Sequence, residues 1–344
     1  MLRRANRRVF SYYDYLADCE NFNRIFIIKG GPGTGKSTTM KTVGKWAEGK
    51  GFDVDYIHCS SDPDSLDGIV IGQIKVAMVD GTSPHIIDPK NAGAVETIIN
   101  MGDFWQEEKI KENKKKIMTL NSEISKKFQC SYNYLAAAGS LNKNSTLPVN
   151  KKEVLKISNE ILSNISFASV AGSGKVRKLF SEAITPDGIV SYADRLKYDN
   201  RIVLKSEILG MASEVLKSIC YRLNEMGYDL EVFYSPINPN CDIRHIVIPE
   251  ANLCILTSDM LSIINESGAE VYDLDISVEQ KKLSSDFLKS KLFSMTLITQ
   301  AISHISAAKR LHDKLEGYYV PYIDFDAMQE KRQEILDQLE KMTQ

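Results

Sequence analysis

The sequence predicts an α/β protein made of two tandem copies of one unit. Each copy is expected to hold a mainly parallel sheet and a helical extension, and the second copy is degenerate. Three observations predict this. The apolar run Arg24-Ile25-Phe26-Ile27-Ile28-Lys29 enters a glycine-rich loop that opens a helix-compatible stretch. A second apolar run, Ile74 to Val79, ends in Asp80. Residues 23–79 are then echoed, weakly, by residues 200–256.

The run before the loop reads as a buried parallel strand. The loop is Gly30-Gly31-Pro32-Gly33-Thr34-Gly35-Lys36-Ser37. It fits G-x-x-x-x-G-K-[ST] at every fixed position, and Thr38 to Gly49 supplies the required helix. The residue types follow from the chemistry of phosphate. Several backbone N–H groups must converge on one anion, and side chains would block them, so glycine is favoured. The following helix points its positive end at the same place. Lys36 adds a mobile ammonium for the β- and γ-phosphates, and Ser37 a hydroxyl for Mg²⁺. The cofactor-binding set is therefore Gly30, Gly31, Pro32, Gly33, Thr34, Gly35, Lys36, Ser37 and Thr38. The expected ligand is ATP with Mg²⁺.

Asp80 closes its strand beside this loop and reads as a metal ligand with Ser37. No Glu follows it to polarise water; Gly81-Thr82-Ser83-Pro84-His85 follows instead. His85 reads equally as a γ-phosphate or water-positioning group and as a solvated loop histidine. The catalytic candidates are thus Lys36, Asp80 and His85. Val54 to His58 reads as another strand. Beyond it, Asp62 and Asp64 are candidates for ordering metal-bound water or a substrate. Asp62 before Pro63 also reads as a helix N-cap with proline at N1, and that reading is preferred. Gly172-Ser173-Gly174-Lys175 lacks a preceding strand and reads as a linker.

The second copy aligns Asn23-Arg24-Ile25 with Asn200-Arg201-Ile202, and Ile69-Val70-Ile71 with Ile246-Val247-Ile248. Its loop is Ser206-Glu207-Ile208-Leu209-Gly210-Met211-Ala212-Ser213. Lys36 becomes Ala212 and Asp80 becomes Thr257. Glu207 sets negative charge against phosphate, while Ile208 and Leu209 crowd the amides. The expected domains are residues 1–165, intact, and 166–344, degenerate and carrying the C-terminal helices, with a joint near residue 165. The degenerate copy is expected to support the fold, bind a protein partner, or complete the first site.

Ile110, Ile117, Leu120, Ile124 and Phe128 recur at helical spacing and predict one apolar face. Leu283, Phe287, Leu292, Ile298, Ile302, Ile305 and Leu311 predict a longer buried helix or a pair. Met328, Ile335, Leu339 and Met342 predict a short stripe. These helices are expected to pack on their own domains rather than form a dimeric coiled coil.

Of the 344 residues, 43% are hydrophobic and 26% charged, with net charge −2. That balance gives no overall pull toward nucleic acid or an anionic membrane. The basic start, Leu2 to Arg8, reads as a solvated arm. No apolar run reaches the roughly 18–20 residues of a membrane span. The six cysteines show no CxxC pair or zinc spacing, and read as reduced, mostly buried thiols of a cytoplasmic protein.

The loop, the segment His58-Cys59-Ser60-Ser61-Asp62-Pro63-Asp64-Ser65-Leu66-Asp67-Gly68, the segment Val79 to His85, and Ala301-Ile302-Ser303-His304 together carry a resemblance. Over nearly its whole length the chain resembles a largely uncharacterised family of bacterial two-repeat P-loop ATPases, some labelled nucleotide-kinase-like. The resemblance implies ATP binding and hydrolysis, and no particular substrate. In that family the second repeat can also hold an intact loop; this sequence departs there. A hydrolase is preferred over a small-molecule or nucleotide kinase, because no arginine lies between Arg24 and Arg177 to stabilise a transferring phosphoryl group. Arg201, Arg222 and Arg244 are the candidates to supply one. A non-catalytic nucleotide-binding scaffold is the third reading. A GTPase is disfavoured because no guanine-reading N/T-K-x-D motif occurs.

Overall fold

The computed structural model describes residues 22–83, 86–145, 151–164, 174–196, 198–277 and 285–343. His85, the basic arm at Leu2 to Arg8 and the expected joint near residue 165 lie outside them. The chain forms two compact units, residues 1–129 with 304–344, and residues 130–303.

Unit 1 is built on a five-stranded sheet. Its strands are β1 (Arg24–Lys29), β2 (Asp55–Cys59), β3 (Asp62–Ile71), β4 (Val76–Asp80) and β5 (Glu96–Asn100), in the order β2-β3-β4-β1-β5. Helix α1 (Lys36–Gly49) connects β1 to β2. Ile25 to Ile28 and Val76 to Val79 are all buried, as continuous apolar runs in central strands should be. β1 pairs in parallel with β4 and β5, whereas β3 pairs antiparallel with β2 and β4. The sheet is thus mixed, not mainly parallel. The cause is connection length. Only Ser60 and Ser61 separate β2 from β3, and a 3₁₀ turn at Gly72–Ile74 with left-handed Lys75 separates β3 from β4. Links that short allow only antiparallel neighbours. Asp62 accordingly starts a strand and caps no helix.

Three further helices of the described chain follow β5: α2 (Glu107–Lys111), α3 (Lys114–Ser145) and α4 (Lys151–Ser163). Ile117 and Ile124 are buried against Ala308 and Leu315, with Ile110, Leu120 and Phe128 alongside, so the expected apolar face is present.

Unit 2 opens with β6 (Val176–Leu179) and the hairpin β7 (Glu182–Thr185) and β8 (Gly188–Ser191). The repeated core follows: β9 (Asn200–Lys205), α5 (Met211–Glu225), β10 (Leu230–Tyr234), β11 (Ile243–Ile248), β12 (Leu253–Ser258) and β13 (Glu270–Asp273). Its sheet order is β13-β9-β12-β11-β10-β6. Without β6, that is the order of the first sheet, with the same parallel and antiparallel neighbours. Left-handed Lys75 recurs as left-handed Asn252. Buried Met40, Val43 and Ala47 of α1 recur as Leu216, Ile219 and Leu223 of α5. Gly174 and Lys175 form no free linker: Asn224 Nδ2 donates to the Gly174 carbonyl, and Asp229 accepts from the Lys175 amide.

The C-terminal helices correct the linear domain division. Helix α6 (Ser285–Glu316) is one continuous helix, and α7 (Phe325–Met342) follows it. Residues 304–344 belong to unit 1, not to the second copy. Met328, Ile335 and Leu339 of α7 are buried in the cluster of Phe26, Ile28 and Met40. A stripe of this kind packs wherever an apolar face is open, regardless of chain order. Ile298 and Ile305 of α6 are buried as expected, but Leu292, with Leu288 and Phe293, is exposed, so α6 is not buried along its whole length; Leu283 lies outside the described residues.

Among the described residues five cysteines are free thiols. Cys130 and Cys241 are exposed, against the expectation that most would be buried. No helix is long and apolar enough to cross a membrane among the described residues.

Candidate functional site

The loop from Gly30 to Gly35 leaves β1 and enters α1 through two left-handed residues, Gly33 at φ 68° and Gly35 at φ 70°. A side chain at either position is strained, which is why glycine stands there. Gly35 is also the N-cap of α1. Thr34 is buried and donates from Oγ1 to the Gly31 carbonyl at 2.7 Å, which tightens the turn. Thr38 is exposed at the first turn of α1.

The consequence is a row of donors. The amides of Gly33, Thr34, Gly35, Lys36 and Ser37 donate to no carbonyl or side chain among the described residues. Consecutive N–H groups at a helix N-terminus make an anion site. Lys36 folds back along the loop, with Nζ 3.1 Å from the Gly30 carbonyl and 2.9 Å from that of Gly31. The same Nζ lies 3.6 Å from Asp80 Oδ2, with both side chains less than one-fifth exposed. No strand intervenes between β1 and β4, so Asp80 stands directly beside the loop. Its Oδ1 accepts from the Thr82 amide at 2.8 Å. Thr82 Oγ1 in turn donates to the Gly30 carbonyl at 3.2 Å, tying the β4 end to the loop.

Ser37 Oγ accepts from the Leu66 amide at 3.0 Å. In unit 2, Ser213 Oγ accepts from the Ile243 amide at 2.9 Å in the same place. The serine therefore has a role in the fold that does not depend on phosphate. Its remaining lone pair and the Asp80 carboxylate are hard oxygen donors suited to Mg²⁺. No group of three or more His, Cys, Asp or Glu able to hold a metal occurs among the described residues. Mg²⁺ does not require one, since it binds through one or two protein oxygens together with phosphates and water.

No family model matches the chain, and no match was found among curated proteins or among solved structures.

The degenerate loop makes the contrast. The Glu207 amide donates to Asp275 Oδ2 at 2.7 Å, and the Ile208 amide to Ser206 Oγ at 3.0 Å. The Met211 amide donates to the Ile208 carbonyl at 3.2 Å. Asp275 also accepts from Ser206 Oγ at 2.7 Å. Of the amides aligned with Gly33 to Ser37, only that of Met211 is taken up within the protein among the described residues, so the contrast lies in charge: Ala212 and Thr257 stand where Lys36 and Asp80 do, and the Asp275 carboxylate faces the loop.

The three arginines expected to complete the first site are engaged in unit 2. Arg201 pairs with Asp194 at 3.0 Å, and Arg222 donates to Asn159 at 2.5 Å. Arg244 is buried between Glu182 and Asp259. Burial alone would raise the Glu182 carboxyl, but His245 and Arg244 outweigh it and hold it at about 2.

Sequence reasoning missed the wall around the loop. A Cβ on Gly31 would meet both Trp105 and Tyr319 at 3.1 Å, and one on Gly33 would meet Val320 Cγ2 at 2.6 Å. A Cβ on Gly35 would meet Met328 Cε at 2.7 Å and Arg332 Nη1 at 3.9 Å. Lys309 Nζ lies 4.0 Å from Asp62 Oδ1, and His312 Nδ1 lies 3.7 Å from Glu316. Burial lowers the His312 imidazole, and the charge on Lys36 pushes the same way. The stripe on α7 signalled a helix, but nothing local in the sequence named its docking partner. His58 Nδ1 lies 2.8 Å from the Pro63 carbonyl, and Asp62 accepts from Ser65 at 2.7 Å. Burial pushes the Cys59 thiol up to about 12, with Asp67 adding to the rise, so it is no nucleophile at neutral pH.

Proposed function

We propose that unit 1 binds Mg·ATP on the loop Gly30 to Ser37 and hydrolyses it. The observation that carries this reading is the placement of Lys36 and Asp80, Nζ to Oδ2 3.6 Å, beside a row of amides from Gly33 to Ser37 that no protein acceptor takes up among the described residues. Such a row is costly to keep at a dry site and favourable around a polyphosphate. Lys36 neutralises the β- and γ-phosphates, while Ser37 and Asp80 hold the metal. Magnesium, when bound, would polarise the phosphate oxygens. The chain's own part is to position the nucleotide and to set charge around it.

The two units read as tandem P-loop-like copies, supported by their common strand order and by Lys75 and Asn252. Unit 2 reads as a pseudo-NTPase, supported by Ala212 and Thr257 in place of Lys36 and Asp80 and by the Asp275 carboxylate at its loop. A turnover assay with and without a panel of phosphate acceptors tests the reaction. Release of free phosphate without an acceptor supports a hydrolase. ADP release that requires an acceptor would replace hydrolysis with a kinase reaction.

A further inference from the structure

The start of α1 gathers two cations, Lys36 and Arg332, of which Lys36 lies 3.6 Å from Asp80 Oδ2, with Glu316 packed beside Gly33. No acid occurs in the first turn of this helix, and Lys36 opens it. Arg332 comes to the same place from α7, its Nη1 3.9 Å from where a Cβ on Gly35 would stand. A cation at the positive end of a helix dipole is unfavourable unless an anion is shared. Acids three or four residues along a helix usually relieve such a cation. Arg332 has none: those positions are Met328, Gln329, Ile335 and Leu336. Neighbouring Lys331, by contrast, pairs with Glu334 at 2.7 Å. No ion pair or hydrogen bond engages the Arg332 side chain among the described residues, although it is only partly exposed.

We infer that Arg332 is a second cationic ligand of the polyphosphate, delivered within the same chain by α7. The inference rests on the nucleotide reading of the loop. It supplies the arginine that is lacking between Arg24 and Arg177, and it places that arginine in neither the second copy nor another subunit. A planar guanidinium can donate two parallel bonds to phosphate oxygens, which a lysine at the same place cannot.

The test is equilibrium binding of Mg·ATP and of inorganic tripolyphosphate to the full chain. Arg332→Gln keeps most of the aliphatic stem and removes the charge; Arg332→Lys keeps the charge and removes the fork. Loss of a charged hydrogen bond predicts that Arg332→Gln weakens both ligands by roughly tenfold or more and by similar factors. Arg332→Lys recovers part of that loss. A structural role alone would lower the thermal midpoint of ligand-free protein without weakening tripolyphosphate. Wild-type binding of Mg·ATP, with Arg332→Gln within twofold of it for both ligands, overturns the inference and leaves the loop reading intact. Wild-type protein that binds neither ligand removes the loop reading and this inference with it.

Discussion

Gly33→Ala tests the packing of the C-terminal segment on the loop. Two costs add at this position. The backbone is left-handed at φ 68°, which costs an L-residue about 1–2 kcal/mol. The new methyl would also stand 2.6 Å from Val320 Cγ2. Valine is branched at Cβ and stiff, so relief requires a change of its χ1 rotamer or movement of the Tyr319–Tyr322 turn. In a packed core such overpacking costs about 1–3 kcal/mol; Val320 is exposed, so the cost here is at the low end, about 1 kcal/mol. In a Val320→Ala background the clashing atom is gone and only the backbone cost remains. The double-mutant cycle therefore predicts a coupling of about 1 kcal/mol. Both tryptophans, Trp46 and Trp105, lie in unit 1, so their emission during urea unfolding reports this unit. An equal cost of Gly33→Ala in both backgrounds would refute the contact.

Two further outcomes follow from the charges. Glu182, held at about 2 against an ordinary 4.5, contributes roughly 3 kcal/mol that is fully present above pH 4.5. A depressed carboxyl loses its contribution as pH falls toward its folded value, so far-UV dichroism should show wild type losing more stability than Glu182→Gln between pH 5 and 3. Equal losses would contradict this. If the proposed Mg·ATP site holds, Asp80→Asn should lower Mg²⁺-dependent turnover by at least about tenfold while changing nucleotide affinity less, since it removes the proposed metal ligand and no amide donor.

The parts of this protein that follow local rules were readable along the chain. An apolar run, then glycines, lysine and serine, fixes β1, the loop and α1, because each step is decided within a few residues. Lys36 and Asp80 converge as expected because β1 and β4 are nearest neighbours. Non-local choices were not readable. Asp62-Pro63 has the chemistry of a helix start, yet the two-residue link to β2 makes it a strand, and hairpin pairing overrides the capping preference. Met328, Ile335 and Leu339 announced an amphipathic helix. Which unit offered the open apolar face depended on β1 and α1, some 300 residues away. Arg332 was hidden for the same reason, since its significance lies in Gly35 rather than in its sequence neighbours.

Calorimetric titration of Mg·ATP into wild-type and Lys36→Ala protein tests the central claim most directly. The expected result is one nucleotide per chain for wild type and loss of tight binding for the variant. Unchanged affinity in Lys36→Ala, or two equivalent sites in wild type, would contradict it.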